Sequence, residues 1–231
     1  LYISERFERK NPAYIRELGM PAEVLSDPVF SYVSDTKNPQ GILAVVKRLE
    51  YTMEDVLGKS ALKCEEKSGE KEKNPENHQI RVPHVIVLDN LQDPGNLGTI
   101  FRTAEAAGAT GILLSSDSVD VYNPKVIRST MGSVYRMPFV YVEHLPETLE
   151  VLAEAGIHSY AAHLKGKNSY DQEDYTRGTA FLIGNEGNGL RDEVADVAEC
   201  YIKIPMCGEV ESLNAAVASS VLMFEAARQR R

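Results

Sequence analysis

The sequence predicts an α/β fold with a mainly parallel sheet and helices on both faces, and two observations support this. Between residues 84 and 231, short apolar segments alternate with amphipathic ones, which is the pattern of successive strand–helix units. The apolar segments, such as HVIVLDNL at 84–91, are hydrophobic without alternation, as expected of strands that are covered on both faces.

Local signals predict each element of this region in turn. The predicted strands occupy residues 84–91, 111–115, 138–143, 158–164, 179–186 and 201–206. The predicted helices occupy residues 97–108, 124–135, 146–156, 190–199 and the end of the chain. Gly108 is a natural stop for the first of these helices. By the ordinary rules of chain connection, this series would form an open, unknotted sheet.

A polar segment divides the chain. Residues 64–83, CEEKSGEKEKNPENHQIRVP, contain almost no large apolar side chain and predict a flexible linker. Upstream, residues 1–63 predict short helical turns and a buried strand at 41–50. About 60 residues are a thin basis for an independent core. Because the chain begins with Leu1 in what already looks like a domain, we expect the natural N-terminus to be missing.

Composition excludes several classes of protein. No apolar run approaches the roughly 18 residues of a membrane span, and the first residues lack the apolar core of a signal peptide. Three cysteines without C-x-x-C spacing predict a reducing, cytoplasmic location. The five histidines lack paired ligand spacing, so no metal site is predicted. The net charge of −9 argues against a protein that coats nucleic acid non-specifically, but it allows a local basic patch.

Three strand ends carry polar residues, and ligands of open α/β sheets bind at the carboxyl ends of strands. The first is DNLQDPGNLGTIFRT at 89–103, where Asn96 is placed to cap the following helix. Gly98 in the first helical turn costs roughly 1 kcal/mol relative to Ala, which indicates a close backbone approach. Arg102 lies on the same helix face. The alternative is that Arg102 only pairs with Glu105 on the surface.

The second strand end is FLIGNEGNGLRDE at 181–193. Its glycines would offer backbone N–H groups beside a helix start, which favours an anion or a polar ligand. It matches neither the dinucleotide fingerprint nor a Walker loop, and a simple turn is the alternative. Glu186 is harder to explain as part of a turn, because it would meet a crowded polar backbone.

The third is IPMCGEVESLNAAVASSVLMFEAARQR at 204–230. Ser212 is a plausible N-cap of the last helix, and the small residues of that helix suit close packing, including packing between subunits. The predicted core stripe consists of Leu213, Val217, Val221 and Phe224. By itself this segment could be purely structural.

In this order, the three segments resemble the three motifs of SpoU-type RNA 2′-O-ribose methyltransferases, which belong to the SPOUT superfamily. The matching stretches are DPGNLGTIFRTAEAAGATGILL at 93–114, LIGNEGNGL at 182–190 and IPMCGEVESLNAAVASSVLMFEAARQ at 204–229. In addition, SDTKNPQGILAVV at 34–46 is similar to the end of the L30e-like domain that precedes many such catalytic domains.

The resemblance implies a catalytic domain over 84–231 that ends in a deep trefoil knot, in place of the open sheet. It implies a partial L30e-like RNA substrate-binding domain over 1–63, which the flexible linker predicted from composition at 64–83 would connect to the catalytic domain. It also implies S-adenosylmethionine as the cofactor and a homodimer as the active form. The expected partner is RNA, with no membrane and no metal.

The family's site residues correspond to particular positions of this chain. The polar active-site set is Asn96, Arg102, Glu186, Ser212 and Asn214. The cofactor would contact the backbone around Gly184, Ile204, Met206 and Leu213. Since a guanidinium is effectively always protonated, we expect Arg102 to stabilise the developing alkoxide rather than act as a base.

The other members of the set have supporting roles in this interpretation. Glu186 would orient Asn96 or Arg102, or relay a proton, while Ser212 and Asn214 would hold the ribose or the edge of the cofactor. Basic side chains are expected around the cleft, namely Arg81, Arg102, Lys125, Arg128 and Arg136.

The resulting hypothesis is methylation of a ribose 2′-hydroxyl in structured RNA. The partial N-terminal domain favours 23S ribosomal RNA over transfer RNA, which remains an alternative. A non-catalytic RNA-binding or ribosome-assembly protein with the same fold is a second alternative, and a broken polar set would favour it. That set is intact here.

Overall fold

The computed structural model describes residues 1–58 and 82–231, which form two compact units, Leu1–Leu49 and Glu50–Arg231. The first unit has a three-stranded sheet of β1 (Tyr2–Ser4), β2 (Glu23–Leu25) and β3 (Ile42–Leu43). Strand β1 is central, parallel to β2 and antiparallel to β3. Its helices are α1 (Glu5–Lys10), α2 (Pro12–Glu17) and α3 (Asp27–Ser34).

Two expectations about the N-terminal part are tested by these residues. The buried strand predicted at 41–50 is wrong beyond its first residues, because the strand formed there is Ile42–Leu43 and Val45 is 75% exposed. The division between the units falls before the predicted limit at residue 63, since Val56 and Leu57 pack in the core of the second unit. Of the predicted linker, residues 64–81 lie outside the described residues.

The second unit is a seven-stranded sheet with helices on both faces. Its strands are β4 (His84–Leu88), β5 (Gly111–Ser115), β6 (Phe139–Val142), β7 (His158–Ala162), β8 (Asn168–Ser169), β9 (Thr179–Ile183) and β10 (Cys200–Lys203). They lie in the order β6-β5-β4-β9-β7-β10-β8, and each pairing between them is parallel. The predicted α/β class with a mainly parallel sheet is therefore confirmed.

The helices of this unit are α4 (Met53–Val56), α5 (Pro94–Ala106), α6 (Pro124–Thr130), α7 (Leu145–Glu154), α8 (Asp192–Ala195) and α9 (Ala215–Gln229). Alternate strand residues belong to two separate cores. Ile86 and Leu88 pack in one core with α5 and α9, whereas Val85 and Val87 pack in the other with α7 and α8. In the parts of the chain that the structure describes, no helix has the length and apolar character needed to cross a membrane.

Helix α6 ends five residues earlier than predicted. Its C-cap, Met131, has a φ of +51°, and Gly132 follows with a φ of +89°. Two left-handed residues in succession end an α-helix. The chain then continues as a short 3-10 helix over Ser133–Tyr135.

The predicted core stripe of the last helix is wrong. Val217 and Phe224 are 48% and 45% exposed, and Leu213 precedes the helix. The buried residues of α9 are Ala215, Ala216, Ser219, Leu222, Met223 and Ala226. The helix thus buries four small residues, together with Leu222 and Met223, against the sheet and α5, and the small side chains allow close packing of the helix backbone.

Candidate active site

The parallel sheet brings the first two of the polar segments to one edge. Strands β4 and β9 pair in register from His84–Thr179 to Leu88–Ile183, so the loops that follow them begin side by side. The carboxylate of Glu186 reaches across this edge. It accepts hydrogen bonds from the backbone N–H groups of Gln92 (3.2 Å) and Asp93 (3.0 Å) and from the side-chain amide of Asn96 (2.9 Å).

These contacts determine the charge of Glu186. Partial burial raises the pKa of this carboxyl, but the hydrogen bonds from Asn96 and from the backbone around Asp93 outweigh it, and the net pKa is lowered. Glu186 is therefore a carboxylate at neutral pH. Of its two predicted partners, it orients Asn96. Its described hydrogen bonds do not include Arg102.

Asn96 connects Glu186 to the last helix. Its Oδ1 accepts a hydrogen bond from Nδ2 of Asn214 at 2.9 Å, while the Oδ1 of Asn214 accepts from the N–H groups of Ala216 (2.9 Å) and Val217 (3.3 Å). Side chains that lie far apart in sequence therefore form one chain from Glu186 through Asn96 to the N-terminus of α9. We call this chain the amide relay.

Both predicted helix caps are wrong, although each lies within three residues of the true one. Asp93 caps α5 by accepting from the N–H of Asn96 at 2.7 Å, so Asn96 belongs to the helix. Asn214 caps α9, and the exposed Ser212 lies two residues before it. Both Ser212 and Asn214 are residue types that cap helices well. The hydrogen bond from Asn214 to the distant Asn96 is a contact that the local sequence does not reveal.

A cavity of about 300 Å³ adjoins the relay. Gly184, Ile204, Met206 and Leu213 all line it, and so do Glu186 and Ser212. Its volume is at the lower limit of small-molecule sites. Three of the nine predicted site residues, Asn96, Arg102 and Asn214, are not part of its lining. The roles assigned to all nine residues remain predictions.

The glycine-rich loop is closed by Asn185, a residue that the sequence analysis did not single out. Its backbone exchanges both hydrogen bonds with Gly189 at 2.9 Å. Its side-chain oxygen accepts from the N–H groups of Gly187 (2.9 Å) and Asn188 (3.1 Å). The N–H groups of Gly187 and Gly189, which were predicted to face an anion or a polar ligand, therefore already have acceptors within the loop, as in the alternative of a simple turn.

As predicted from the sequence, the backbone at Gly98 is closely approached by a neighbour, which is helix α6. A Cβ at this position would lie 1.7 Å from Oγ and 2.5 Å from Cβ of Ser129. The Ser129 hydroxyl donates to carbonyl groups of Val126 (2.8 Å) and Pro94 (3.2 Å). Helices α5 and α6 thus touch at Gly98, which explains why glycine is tolerated inside a helix.

Arg102 is exposed on α5, and its proposed surface partner is occupied by another residue. Arg136 binds the Glu105 carboxylate through two nitrogen atoms, one of them at 3.0 Å. The simple surface pair between Arg102 and Glu105 is therefore not formed. Of the other basic residues expected near the cleft, Lys125 and Arg128 are exposed on α6, and Arg81 lies outside the described residues.

A buried ion pair beside the loop was missed. Asp89 directly follows β4 and its side chain is 0% exposed. It accepts from the backbone N–H of Arg191 (2.9 Å) and from its guanidinium (Nε, 2.8 Å), which also reaches Asp117 at 3.3 Å. Two signals in the sequence could have indicated this pair. Asp89 is a charged residue at the end of a buried strand, and Arg191 directly follows the glycine-rich loop. Together with a hydrogen bond from the Asn185 amide to the carbonyl of Asn90 (2.8 Å), this pair fixes both ends of the loop.

Comparison with known proteins agrees with this architecture. A model of the SpoU rRNA Methylase family matches residues 83–224. An uncharacterized tRNA/rRNA methyltransferase of Synechocystis is 34% identical over 227 residues, which are 97% of this chain and 74% of that protein. The 23S rRNA (guanosine(2553)-2′-O)-methyltransferase RlmP of Bacillus subtilis is 31% identical over 90% of this chain and 73% of its own length.

Solved structures extend the similarity to nearly the whole chain. The SpoU methyltransferase AviRb from Streptomyces viridochromogenes, in complex with the cofactor AdoMet, has a TM-score of 0.78 at 26% identity over 99% of this chain and 81% of its own. The AdoMet-bound rRNA methyltransferase from Sinorhizobium meliloti has a TM-score of 0.75 at 29% identity over 98% of this chain and 79% of its own. The chain belongs to the SpoU family of RNA methyltransferases.

Proposed function

We propose that this chain transfers a methyl group from S-adenosylmethionine to a ribose 2′-hydroxyl of 23S ribosomal RNA. The observation that carries the proposal is the amide relay, which joins all three motif segments through contacts of 2.9 Å and includes Glu186 of the cavity lining. The similarity to RlmP, at 31% identity, supports ribosomal RNA as the substrate.

The cavity suits the cofactor chemically. Its wall combines apolar side chains with polar groups at the rim, as a nucleoside with a charged amino-acid tail requires. We assign the apolar wall to Ile204, Met206 and Leu213, and the backbone side to Gly184. Bound there, S-adenosylmethionine supplies a methyl group on a positively charged sulfur. Among the described residues no group of three or more His, Cys, Asp or Glu could hold a metal ion, and the proposal needs none.

The side chains have distinct tasks in this proposal. The lowered pKa of Glu186, caused by its hydrogen bonds in spite of partial burial, makes it an anchor for Asn96 rather than a proton acceptor of ordinary basicity. Asn96 and Asn214 then hold the ribose edge at a fixed angle, because alignment of the attacking oxygen is the main requirement of this reaction. Ser212 contacts the cofactor edge, and Arg102 stabilises the alkoxide that develops as the 2′-hydroxyl releases its proton to solvent water. Transfer of the methyl group would leave S-adenosylhomocysteine as the second product.

The proposal also includes the knot, the oligomeric state, the N-terminal unit and the cellular location. The segment from β10 to α9 forms the trefoil knot that the family resemblance implies. Two copies of the chain form the active homodimer. The unit Leu1–Leu49 is part of an L30e-like domain that binds the RNA substrate. The enzyme acts in the cytoplasm, where ribosomal RNA is modified.

The test uses the full chain, tritium-labelled S-adenosylmethionine and two RNAs transcribed in vitro, 23S ribosomal RNA and a transfer RNA mixture. We expect saturable cofactor binding by calorimetry and tritium transfer to the 23S RNA. The labelled nucleotide should resist alkaline cleavage, since a 2′-O-methyl group blocks attack on the next phosphate. Label in transfer RNA alone would move the substrate to that class. Cofactor binding without transfer to either RNA would support the non-catalytic alternative.

A further inference from the structure

A hydrogen bond between Asn185 and Asn90 joins the two loops that carry Glu186 and its partners. The side-chain nitrogen of Asn185, in the glycine-rich loop after β9, donates to the backbone carbonyl of Asn90, after β4, at 2.8 Å. Further along the same two loops, Glu186 accepts from the N–H of Gln92 at 3.2 Å and from the Asn96 amide at 2.9 Å. Two connections therefore run side by side between these loops, and the second belongs to the amide relay.

Asn90 is held in an unusual backbone conformation from three directions. Its φ of +52° is left-handed, a conformation that asparagine tolerates better than most residues. Its N–H donates to Oγ of Ser115 at 2.7 Å, its side-chain oxygen accepts from the amide of Gln92, and its carbonyl accepts from Asn185. Strained residues persist where their surroundings determine them, and they concentrate at functional sites. The carbonyl that Asn185 binds is therefore held in place.

The Asn185 side chain also shapes the loop in which it lies. Its oxygen accepts from two backbone N–H groups of that loop, while its nitrogen binds the other loop. The turn is so tight that a Cβ at Gly184 would lie 2.1 Å from the backbone carbon of Gly189. Gly184 and Glu186, the two chain neighbours of Asn185, both line the cavity. A shift of Asn185 would therefore move the Glu186 carboxylate and the cavity wall.

We propose that Asn185 is a positioning residue for methyl transfer, which through its hydrogen bond to Asn90 holds the Glu186 carboxylate in place against Asn96. This inference rests on the proposed function, which supplies the reaction. Asn96 lies on helix α5, whereas Glu186 lies on a loop, and side chains on loops are placed less precisely than those on helices or strands. Support for the loop matters because a misplacement of about 1 Å can lower the rate of an enzyme about 100-fold.

Asn185→Ser tests this role without adding a charge. A serine hydroxyl can still accept from the N–H groups of the loop, but the substitution removes the amide that donates to Asn90. The matched control is Asn168→Ser on β8, which removes a side-chain amide that donates to Glu173 at 2.6 Å and lies outside the cavity lining. The readouts are the melting temperature, the pKa of Glu186 from carbon-13 NMR of its carboxyl group, and kcat and KM with 23S RNA transcribed in vitro.

Asn185→Ser should change the pKa of Glu186 and the turnover together. Burial raises this pKa, but the hydrogen bonds of the carboxylate lower it overall, so loosening them should raise it toward the ordinary value of about 4.3. We expect kcat at saturating substrates to fall about tenfold or more, with a change in melting temperature no larger than that of Asn168→Ser. The control should keep the wild-type kcat and Glu186 pKa.

A double-mutant cycle with Glu186→Gln shows whether Asn185 acts through Glu186. In the Glu186→Gln background, Asn185→Ser should lower kcat little further, because the carboxylate that it positions is already absent. If the serine variant does not fold, Asn185→Asp replaces it in the kinetic measurements, since aspartate keeps the oxygen that closes the loop. Wild-type kcat in the Asn185 variant, or additive effects in the cycle, would overturn the proposal. A wild-type chain that methylates no RNA would refute the proposed function, and an unchanged Glu186 pKa in Asn185→Ser would refute the positioning of Glu186 by Asn185.

Discussion

Asn214 and Asn96, 118 residues apart in the sequence, are joined by a side-chain hydrogen bond of 2.9 Å from Nδ2 to Oδ1. The oxygen and the nitrogen of the Asn214 side-chain amide have different roles. Its oxygen caps the last helix, and its nitrogen continues the relay to Asn96 and Glu186. Asn214 therefore both caps the helix and contacts Asn96. Substitution by aspartate separates the two roles, because aspartate keeps the capping oxygen but lacks the amide N–H that donates to Asn96.

Asn214→Asp should preserve the fold and impair catalysis. Aspartate caps helices as well as asparagine does, so the melting temperature should stay near that of the wild type. The donor to Asn96 is lost, however, and a second carboxylate would compete with Glu186 for the Asn96 amide. We expect methyl transfer to fall roughly tenfold or more. Asn214→Ala should in addition lose about 1 kcal/mol of unfolding free energy. Equal activity of Asn214→Asp and wild type would show that the residue is only a cap.

Glu186→Gln should alter how stability depends on pH. The pKa of Glu186 is lowered in the folded chain by its hydrogen bonds, against the effect of burial, so its contribution to stability is present above the unfolded-state pKa of about 4.3. That contribution is lost as the pH falls through the lower folded-state pKa. Urea unfolding of both chains between about pH 6 and pH 3 should show their stability difference shrinking in acid. A difference that stays constant with pH would refute this assignment.

Local patterns anticipated the sheet but not the relay. Continuous apolar runs such as β4 and β9 can be recognised as strands from the sequence alone, because a strand that is buried on both faces has no polar positions. The position of Gly98 indicated a close contact, yet nothing nearby in sequence names Ser129 as its partner. Likewise, Glu186 and Asn96 are 90 residues apart, and their contact depends on the strand order. The buried face of α9 was predicted wrongly, because four of its six buried residues are Ala or Ser, which carry less hydrophobic signal than the exposed Val217 and Phe224.

Gly98→Ala should destabilise the fold through a clash with Ser129. Alanine gains about 1 kcal/mol in helix propensity, but its Cβ would lie 1.7 Å from the Ser129 hydroxyl oxygen. Overpacking of this kind costs about 1–3 kcal/mol, so we expect a net loss measurable by urea unfolding. In a double-mutant cycle with Ser129→Gly, which removes both the hydroxyl and its Cβ, the second change should recover part of the loss. Strictly additive effects would contradict a direct contact.

Arg191→Met should be among the most destabilising changes beside the loop. It leaves the fully buried Asp89 carboxylate without its cation, and breaking a buried pair costs about 3–5 kcal/mol. We expect a value near the lower limit, since Arg191 is itself 40% exposed. Asp89→Asn combined with Arg191→Met should restore most of the stability, as measured by urea unfolding. Cofactor affinity should recover less than stability, because the glycine-rich loop would still lack the ion pair between Arg191 and Asp89. If affinity and stability recover to the same extent, the ion pair has a purely structural role.

Arg102→Ala should nearly abolish methyl transfer and leave folding and the proposed homodimer unchanged. The side chain is exposed, so its removal creates no cavity, and surface changes of this kind usually alter stability by less than about 0.5 kcal/mol. Loss of one donor that stabilises a developing oxyanion lowers turnover by about 100- to 1000-fold. Arg102→Lys keeps the charge without the planar group and should recover only part of the rate. Turnover is measured with tritium-labelled cofactor and 23S RNA, and dimer formation by sedimentation. If Arg102→Ala retains wild-type turnover, Arg102 has no part in the reaction, and stabilisation of the oxyanion must come from the amide relay.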